Sequence, residues 1–335
     1  MVIDLHEWKL LTMETPGIFP LLPQFREMVW GGRGLETLFG KALPEDRPIG
    51  ESWEVSALSG MESQVAAGPA EGVPLSALIQ EHGEGLLGEG VFTRYGGDFP
   101  LLIKLLDACQ DLSIQVHPDD EYASRNSLGR FGKSEAWYVL RSDAGRIVLG
   151  LEEGIGRTEF ALAISENRIG ETIKCQTVQA GDLVCLPPGT VHALCQGVMI
   201  YEVQQSSDIT FRIHDYDRLG LDGKPREIHT EQALQVIDFQ STPEVQSPAD
   251  DAMITLLETE HFKLERCRLN SETHAHPPYE SFATATLLEG VAEIQSGQDH
   301  YRLGKGDTCL ISARCPFEIA HQSDSQVEYL IASVP

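Results

Sequence analysis

Basic residues are scarce in this chain: 25 Lys and Arg stand against 51 Asp and Glu, for a formal net charge of −26. So acidic a chain repels nucleic-acid phosphates and anionic membranes, and no basic stripe is present to track a phosphate backbone. Nucleic-acid and membrane partners are therefore not expected, and any anionic small molecule must find a local pocket of cations. Long hydrophobic runs are missing as well. No stretch reaches the roughly 18 apolar residues that span a bilayer, and the run Met1–Lys9 interrupts its apolar residues with Asp4, His6 and Glu7. An untargeted, cytoplasmic protein is expected. Cysteine pairs are also lacking. The seven cysteines, at 109, 175, 185, 195, 267, 309 and 315, contain no C-x-x-C and are odd in number. A chain of 335 residues can bury its own core without disulfide staples, so these cysteines are expected to be reduced, buried small hydrophobes.

What is present is a succession of short β runs. Val184–Leu186, Met199–Val203 and Val291–Ile294 are apolar segments bounded by Gly, Pro and Asp, the texture of a sandwich or barrel. Helical spacing shows in Pro74–His82, with proline at its start, and again from Thr158 within Arg157–Arg168. Helices are thus expected as insertions at about 70–95 and 155–172 in a mainly β framework. One unit also repeats. Gly181-Asp182 opens GDLVCLPPGTVHAL, and Gly306-Asp307 opens GDTCLISARCPFEI. Glu135 stands ten residues before Gly145, as Glu280 does before Gly290. The first copy carries about twenty extra residues between that glycine and the Gly-Asp turn, where the second helical stretch falls. The chain accordingly divides into a domain over 1–240 and a smaller, degenerate copy over 250–335.

The first copy holds Gln115-Val116-His117, then Glu135, then His192 at the end of Pro187-Pro188-Gly189-Thr190-Val191-His192. Residues two apart on a strand share a face, so Gln115 and His117 can enter one barrel, with Glu135 and His192 on neighbouring strands of a jelly roll. Two imidazoles, a carboxylate and an amide oxygen suit a divalent metal with a position left open. Each histidine alone would more often be an ordinary hydrogen-bonded residue; it is the set that points to a metal. GDLVCLPPGTVH matches the second motif of the cupins, whose fold is the jelly roll, and two cupin-type jelly rolls are the expected architecture.

Six blocks, in order, carry a more specific resemblance: FPLLP followed by WGG, IGESWEVS, LLIKLLDACQDLSIQVHPDDEYA, GKSEAWYVL, LPPGTVHAL and YEVQQSSDITFRIHDYDR. Together they resemble the short bacterial form of the type I phosphomannose isomerases. The resemblance implies one zinc ion per chain on Gln115, His117, Glu135 and His192, an active-site arginine at Arg212 and a lysine at Lys133. It implies an aldose–ketose isomerase acting on mannose 6-phosphate and fructose 6-phosphate. That chemistry moves a proton between adjacent carbons through an enediolate, so it needs a metal or cation on the oxygens and a base for the proton. Lys104, Lys133, Arg212 and Arg218 are the cations of the matching blocks, Lys104 and Arg218 being assigned here to the phosphate. For the base, Glu202 and Asp208 fall on one face of an extended segment, and either is suitable. Glu202 could instead pair with Lys133 or Arg212, and Asp208 could set a turn. Arg218 keeps the charge that many long-form relatives supply with lysine, but not a titratable amine.

Two other functions fit a cupin. Ferrous dioxygenases also use two histidines and a carboxylate, but Gln115 stands where many of them have histidine and the cations would be superfluous. A sugar-binding cupin without activity would have dispensed with the ligands or Arg212. In the second copy His274, His276 and Glu280 align with Gln115, His117 and Glu135, while Phe317 takes the place of His192; no second active centre is expected there. A monomer or weak homodimer completes the expectation.

Overall fold

Strands buried on both faces set the architecture. Leu101–Asp107 and Val198–Gln205 are covered along their whole length. Alternate residues serve different cores: Val198 and Ile200 face the inside of a barrel, while Met199, Tyr201 and Val203 enter a second core between barrels. The computed structural model describes residues 17–143, 145–322 and 326–335; the run Met1–Lys9 lies outside them. Each barrel is a wide sheet facing a narrower one.

In the first barrel the wide sheet runs Val245–Gln246, Leu183–Leu186, Glu135–Ser142, Val198–Gln205, Leu101–Asp107, Ile49–Val55 and Gln24–Gly32. It faces five strands, in the order Phe211–His214, Ile114–Val116, His192–Leu194, Arg146–Leu151 and Ile173–Thr177. In the second barrel seven strands likewise face four, and the two wide sheets meet across the largest core, where Phe99 packs on Phe282 at 4.6 Å between ring centroids. Two strands of the N-terminal region, Ile18–Leu22 and Gln64–Val65, belong to the wide sheet of the second barrel, Ile18–Leu22 pairing with Thr308–Ile311. The N-terminal region therefore contributes strands to both barrels.

The helical insertions fall at Leu75–Leu87, Glu89–Tyr95 and Arg157–Ser165. Three short helices, Gly34–Phe39, Asp120–Arg125 and Thr230–Val236, carried no clear periodicity in the sequence. No described helix is long and apolar enough to cross a membrane. All seven cysteines are free, but Cys109 and Cys175 are exposed, so the expectation that all are buried is corrected: Cys109 follows the end of the strand Leu101–Asp107, and Cys175 faces outward in the middle of the edge strand Ile173–Thr177.

The repeat is real, with a changed register. The Gly181 N–H donates to the Val139 carbonyl (2.8 Å) and the Gly306 N–H to that of Leu287 (2.7 Å). Both glycines turn at positive φ, 93° and 88°, where a Cβ is disfavoured. Counting back from Val139 and Leu287, the counterpart of Glu135 is Ala283, not Glu280. Likewise His192 pairs with Gln115, and Phe317 pairs with His276, so His276 matches Gln115 rather than His117. The hairpins after these strands differ in length, which an alignment anchored on Gly145 and Gly290 could not see.

Candidate active site

The narrow sheet brings Arg212, Gln115 and His192 into one row, since Gln115 pairs with both neighbours. The wide sheet presents a facing row, Trp137, Glu202, Lys104 and Trp53, each paired with the next. Side chains of directly paired residues point to the same face, so the two rows meet inside the barrel; the Trp137 and His192 rings lie 5.4 Å apart. Glu135 enters from the wide sheet. It and His192 thus sit on facing sheets, which corrects the expected neighbouring strands.

The two histidines are held in one tautomer. His117 Nδ1 lies 2.9 Å from the Ile209 carbonyl and His192 Nδ1 lies 2.8 Å from that of Thr190, so each Nδ1 carries the proton and donates it. Each Nε2 then faces Glu135, at 3.6 Å for His117 and 3.2 Å for His192. Burial, with Lys133 beside it, holds His117 well below the ordinary imidazole range and therefore neutral. A neutral imidazole's lone pair facing a carboxylate repels unless a cation lies between them, and His117 Nε2 and Glu135 Oε1 are buried without a hydrogen-bond partner. Gln115 places its amide 3.3 Å from His192 Nε2; with the amide turned over, Oε1 faces the same point. This donor set fits a divalent ion.

Around it lies a cavity of about 220 Å³ whose lining includes Arg26, Glu51, Lys104, Lys133, Glu202, Asp208, Arg212, Arg226 and His229. Lys133 Nζ stands 3.0 Å from Glu135; the carboxylates of Glu135 and Glu202 outweigh its burial and raise its affinity for the proton, so it stays an ammonium. Glu202 pairs with neither Lys133 nor Arg212. Its Oε2 accepts the Trp137 indole N–H at 2.9 Å, and Lys104 Nζ lies 3.3 Å from its Oε1. Lys104 is enclosed between Glu202 and Glu51 (3.8 Å) above the Trp53 ring, so its charge is already met. The extended segment ends at Gln205, and Asp208 projects at the mouth with its side chain 48% exposed, paired with Arg26 at 3.0 Å. The shared face expected for Glu202 and Asp208 is thereby corrected: the backbone turns at Ser207, whose N–H donates to the Gln205 carbonyl (2.7 Å). Arg218 is absent from the cavity wall; it donates to Asp215 and to the Asp111 carbonyl behind it.

Sequence reasoning missed Trp137, Glu51, Arg26, Arg226 and His229. Trp137 is two residues from Glu135 on the same strand, and strand periodicity could have found it; Glu51 sits within the IGESWEVS block. Arg26, Arg226 and His229 reach the cavity only through tertiary pairing.

In the second barrel the cluster consists of Cys267, His274 and His276, not Glu280, which is exposed and paired with Arg314. The Tyr329 hydroxyl lies 2.8 Å from His276 Nε2 and 3.3 Å from His274 Nδ1. A phenol thus joins these imidazoles where, in the first barrel, ring nitrogens face a carboxylate.

Fold and site define a two-barrel cupin with a buried histidine–carboxylate cluster that could hold a metal ion. Residues 18–152 match the profile of "Phosphomannose isomerase type I, catalytic domain". The mannose-6-phosphate isomerase ManA of Bacillus subtilis is 34% identical over 295 residues, covering 86% of this chain and 91% of its own. That of Streptococcus mutans is 34% identical over 297 residues, covering 87% and 91%. A crystal structure of mannose 6-phosphate isomerase from Bacillus subtilis superposes with a TM-score of 0.85 at 32% identity, covering 95% of this chain and all of the other. The chain belongs to the type I phosphomannose isomerases.

Proposed function

We propose that this cavity interconverts mannose 6-phosphate and fructose 6-phosphate, with one zinc ion held by Gln115, His117, Glu135 and His192. The observation that carries the metal is the convergence of both buried Nε2 atoms on the carboxylate of Glu135, with His117 neutral and its Nε2 without a hydrogen-bond partner. Two imidazoles, a carboxylate and an amide oxygen with an open position suit zinc, and the ion when bound supplies Lewis-acid polarisation of the sugar's carbonyl and hydroxyl oxygens.

The chain's own groups supply the rest. Glu202 carries the proton between the first two carbons: it is buried in the cavity, and the Trp137 indole and Lys104 fix its orientation. Lys133, protonated beside Glu135, sets a fixed positive charge against the oxygen charge that develops in the enediolate. Arg212 adds a guanidinium from the opposite sheet. Asp208 and Arg26 close the mouth and steer the sugar inward. Lys104, first assigned to the phosphate, is better matched to Glu202, and Arg218 supports the phosphate end from outside the cavity wall. The free cysteines fit a reducing compartment, and we take the enzyme to be cytoplasmic and a monomer or weak homodimer.

A coupled assay for fructose 6-phosphate formed from mannose 6-phosphate tests the reading, run in deuterated water. We expect turnover with solvent deuterium entering the product at the carbon that receives the proton. Absence of turnover would refute the assigned reaction, and complete retention of the substrate hydrogen under all conditions would favour a hydride shift.

A further inference from the structure

Three guanidiniums, those of Arg212, Arg218 and Arg226, gather around one carboxylate, Asp215, just beyond the strand Phe211–His214. Arg226 Nε donates to Asp215 Oδ2 at 2.7 Å and its Nη2 donates to Oδ1, while Arg218 Nη2 donates to Oδ1 at 2.7 Å. Burial alone would raise the Asp215 carboxyl, but the bonds from Arg226 and Arg218 prevail and hold it below the usual range. Asp215 is therefore ionised and only 5% exposed.

Arg212 makes no ion pair among the described residues. Its Nη1 donates to the Glu227 carbonyl at 2.9 Å, its Nε is buried without a partner, and burial together with Arg226 and Arg218 depresses its proton affinity. Three cations against Asp215 and the exposed carboxylate of Glu227 leave an excess of positive charge in a protein of net charge −26. By contrast Lys104, Lys133 and Arg26 each have a carboxylate within 3.3 Å. A phosphomonoester carries a charge of about −1.5 to −2 at neutral pH, which matches the arginine end and not the lysine end. Of the two arginines held by Asp215, only Arg226 lines the cavity beside Arg212.

We propose that Arg226 binds the phosphate of the substrate together with Arg212, and that Asp215 is the positioning residue that sets the plane of the Arg226 guanidinium. The proposal rests on the sugar-phosphate reading of the same cavity. The bidentate pair with Asp215 occupies Nε and Nη2 and leaves Nη1 for a phosphate oxygen, a geometry that lysine cannot reproduce.

The test uses the metal-loaded enzyme, with mannose 6-phosphate as substrate and inorganic phosphate as competitive inhibitor. Arg226→Ala should raise both the KM and the inhibition constant of inorganic phosphate by about 30-fold, the scale of one lost charged hydrogen bond. Turnover should stay within about threefold of wild type, with metal content unchanged, and Arg226→Lys should recover only part of the loss. Should the alanine variant fold poorly by circular dichroism, Arg226→Gln gives the same readout. A folded variant with unchanged KM and unchanged inhibition by phosphate overturns the role of Arg226, as does a fall in kcat alone. If wild-type enzyme failed to convert mannose 6-phosphate, the reading of the whole cavity would fall, and this proposal with it.

Discussion

Glu202 and Asp208 show how environment divides two carboxylates between roles. Glu202 is buried, oriented by an indole and opposed by an ammonium; Asp208 sits in solvent with Arg26. Removing the charge and basicity of Glu202 in Glu202→Gln keeps shape and the Trp137 contact, and should lower kcat roughly 1,000-fold while the metal content stays near wild type. Asp208→Asn breaks an exposed pair and should cost less than about tenfold. Equal losses in the two variants would contradict the division. At this scale the sequence was informative where motifs are local. Gln115, His117, Glu135 and His192 were legible because strand alternation and a turn of fixed length decide where they point. Arg226 was not, because its place depends on a bidentate pair with Asp215 across a loop that has no period.

Within the second barrel, the strand carrying His274 and His276 has been reused as a hydrogen-bonded wall. His276 is stacked on Phe317 and bonded to Tyr329, with His274, Cys267 and Glu265 nearby. Burial, reinforced by His274, lowers its pKa from 6.5 to about 4. Below pH 6.5 the unfolded chain binds a proton that the folded chain refuses, so stability falls as pH drops from 6.5 toward 4. The contribution is about 3 kcal/mol at most. The urea midpoint of His276→Asn should therefore fall less steeply than that of wild type over this window, and parallel slopes would contradict the assignment. The β runs and both helical insertions could be read from periodicity and turn residues. The register of the next strand, Ala283–Glu289, could not, since its hairpin differs in length from the one after Glu135–Ser142.

Across the whole molecule, the barrels are joined by a shared core and by strands that cross between them. Lys41 ties the two together, its ammonium 2.8 Å from Glu54 and donating to the Gly306 carbonyl at 2.6 Å. Phe282, fully buried against Phe99, should cost about 3–5 kcal/mol when truncated to alanine. Among the described residues the tryptophans are Trp30, Trp53 and Trp137, all on the wide sheet of the first barrel. A lower urea midpoint in Phe282→Ala seen by tryptophan fluorescence would thus show the first barrel losing stability with the second, whereas an unshifted signal would mean independent units. This joining escaped the sequence because a repeat marks two units without saying which strands they exchange. The two barrels differ most in their centres, and the account stands on the first of them being metal-dependent. The most direct measurement strips the enzyme with a chelator, counts bound ions by atomic spectroscopy, and follows fructose 6-phosphate formation before and after adding back zinc. We predict that activity and one ion per chain are lost together and restored together, and that His192→Ala recovers neither. Full activity in a demonstrably metal-free preparation would contradict the account, as would activity that depends on a second ion lost in a His274→Ala/His276→Ala variant.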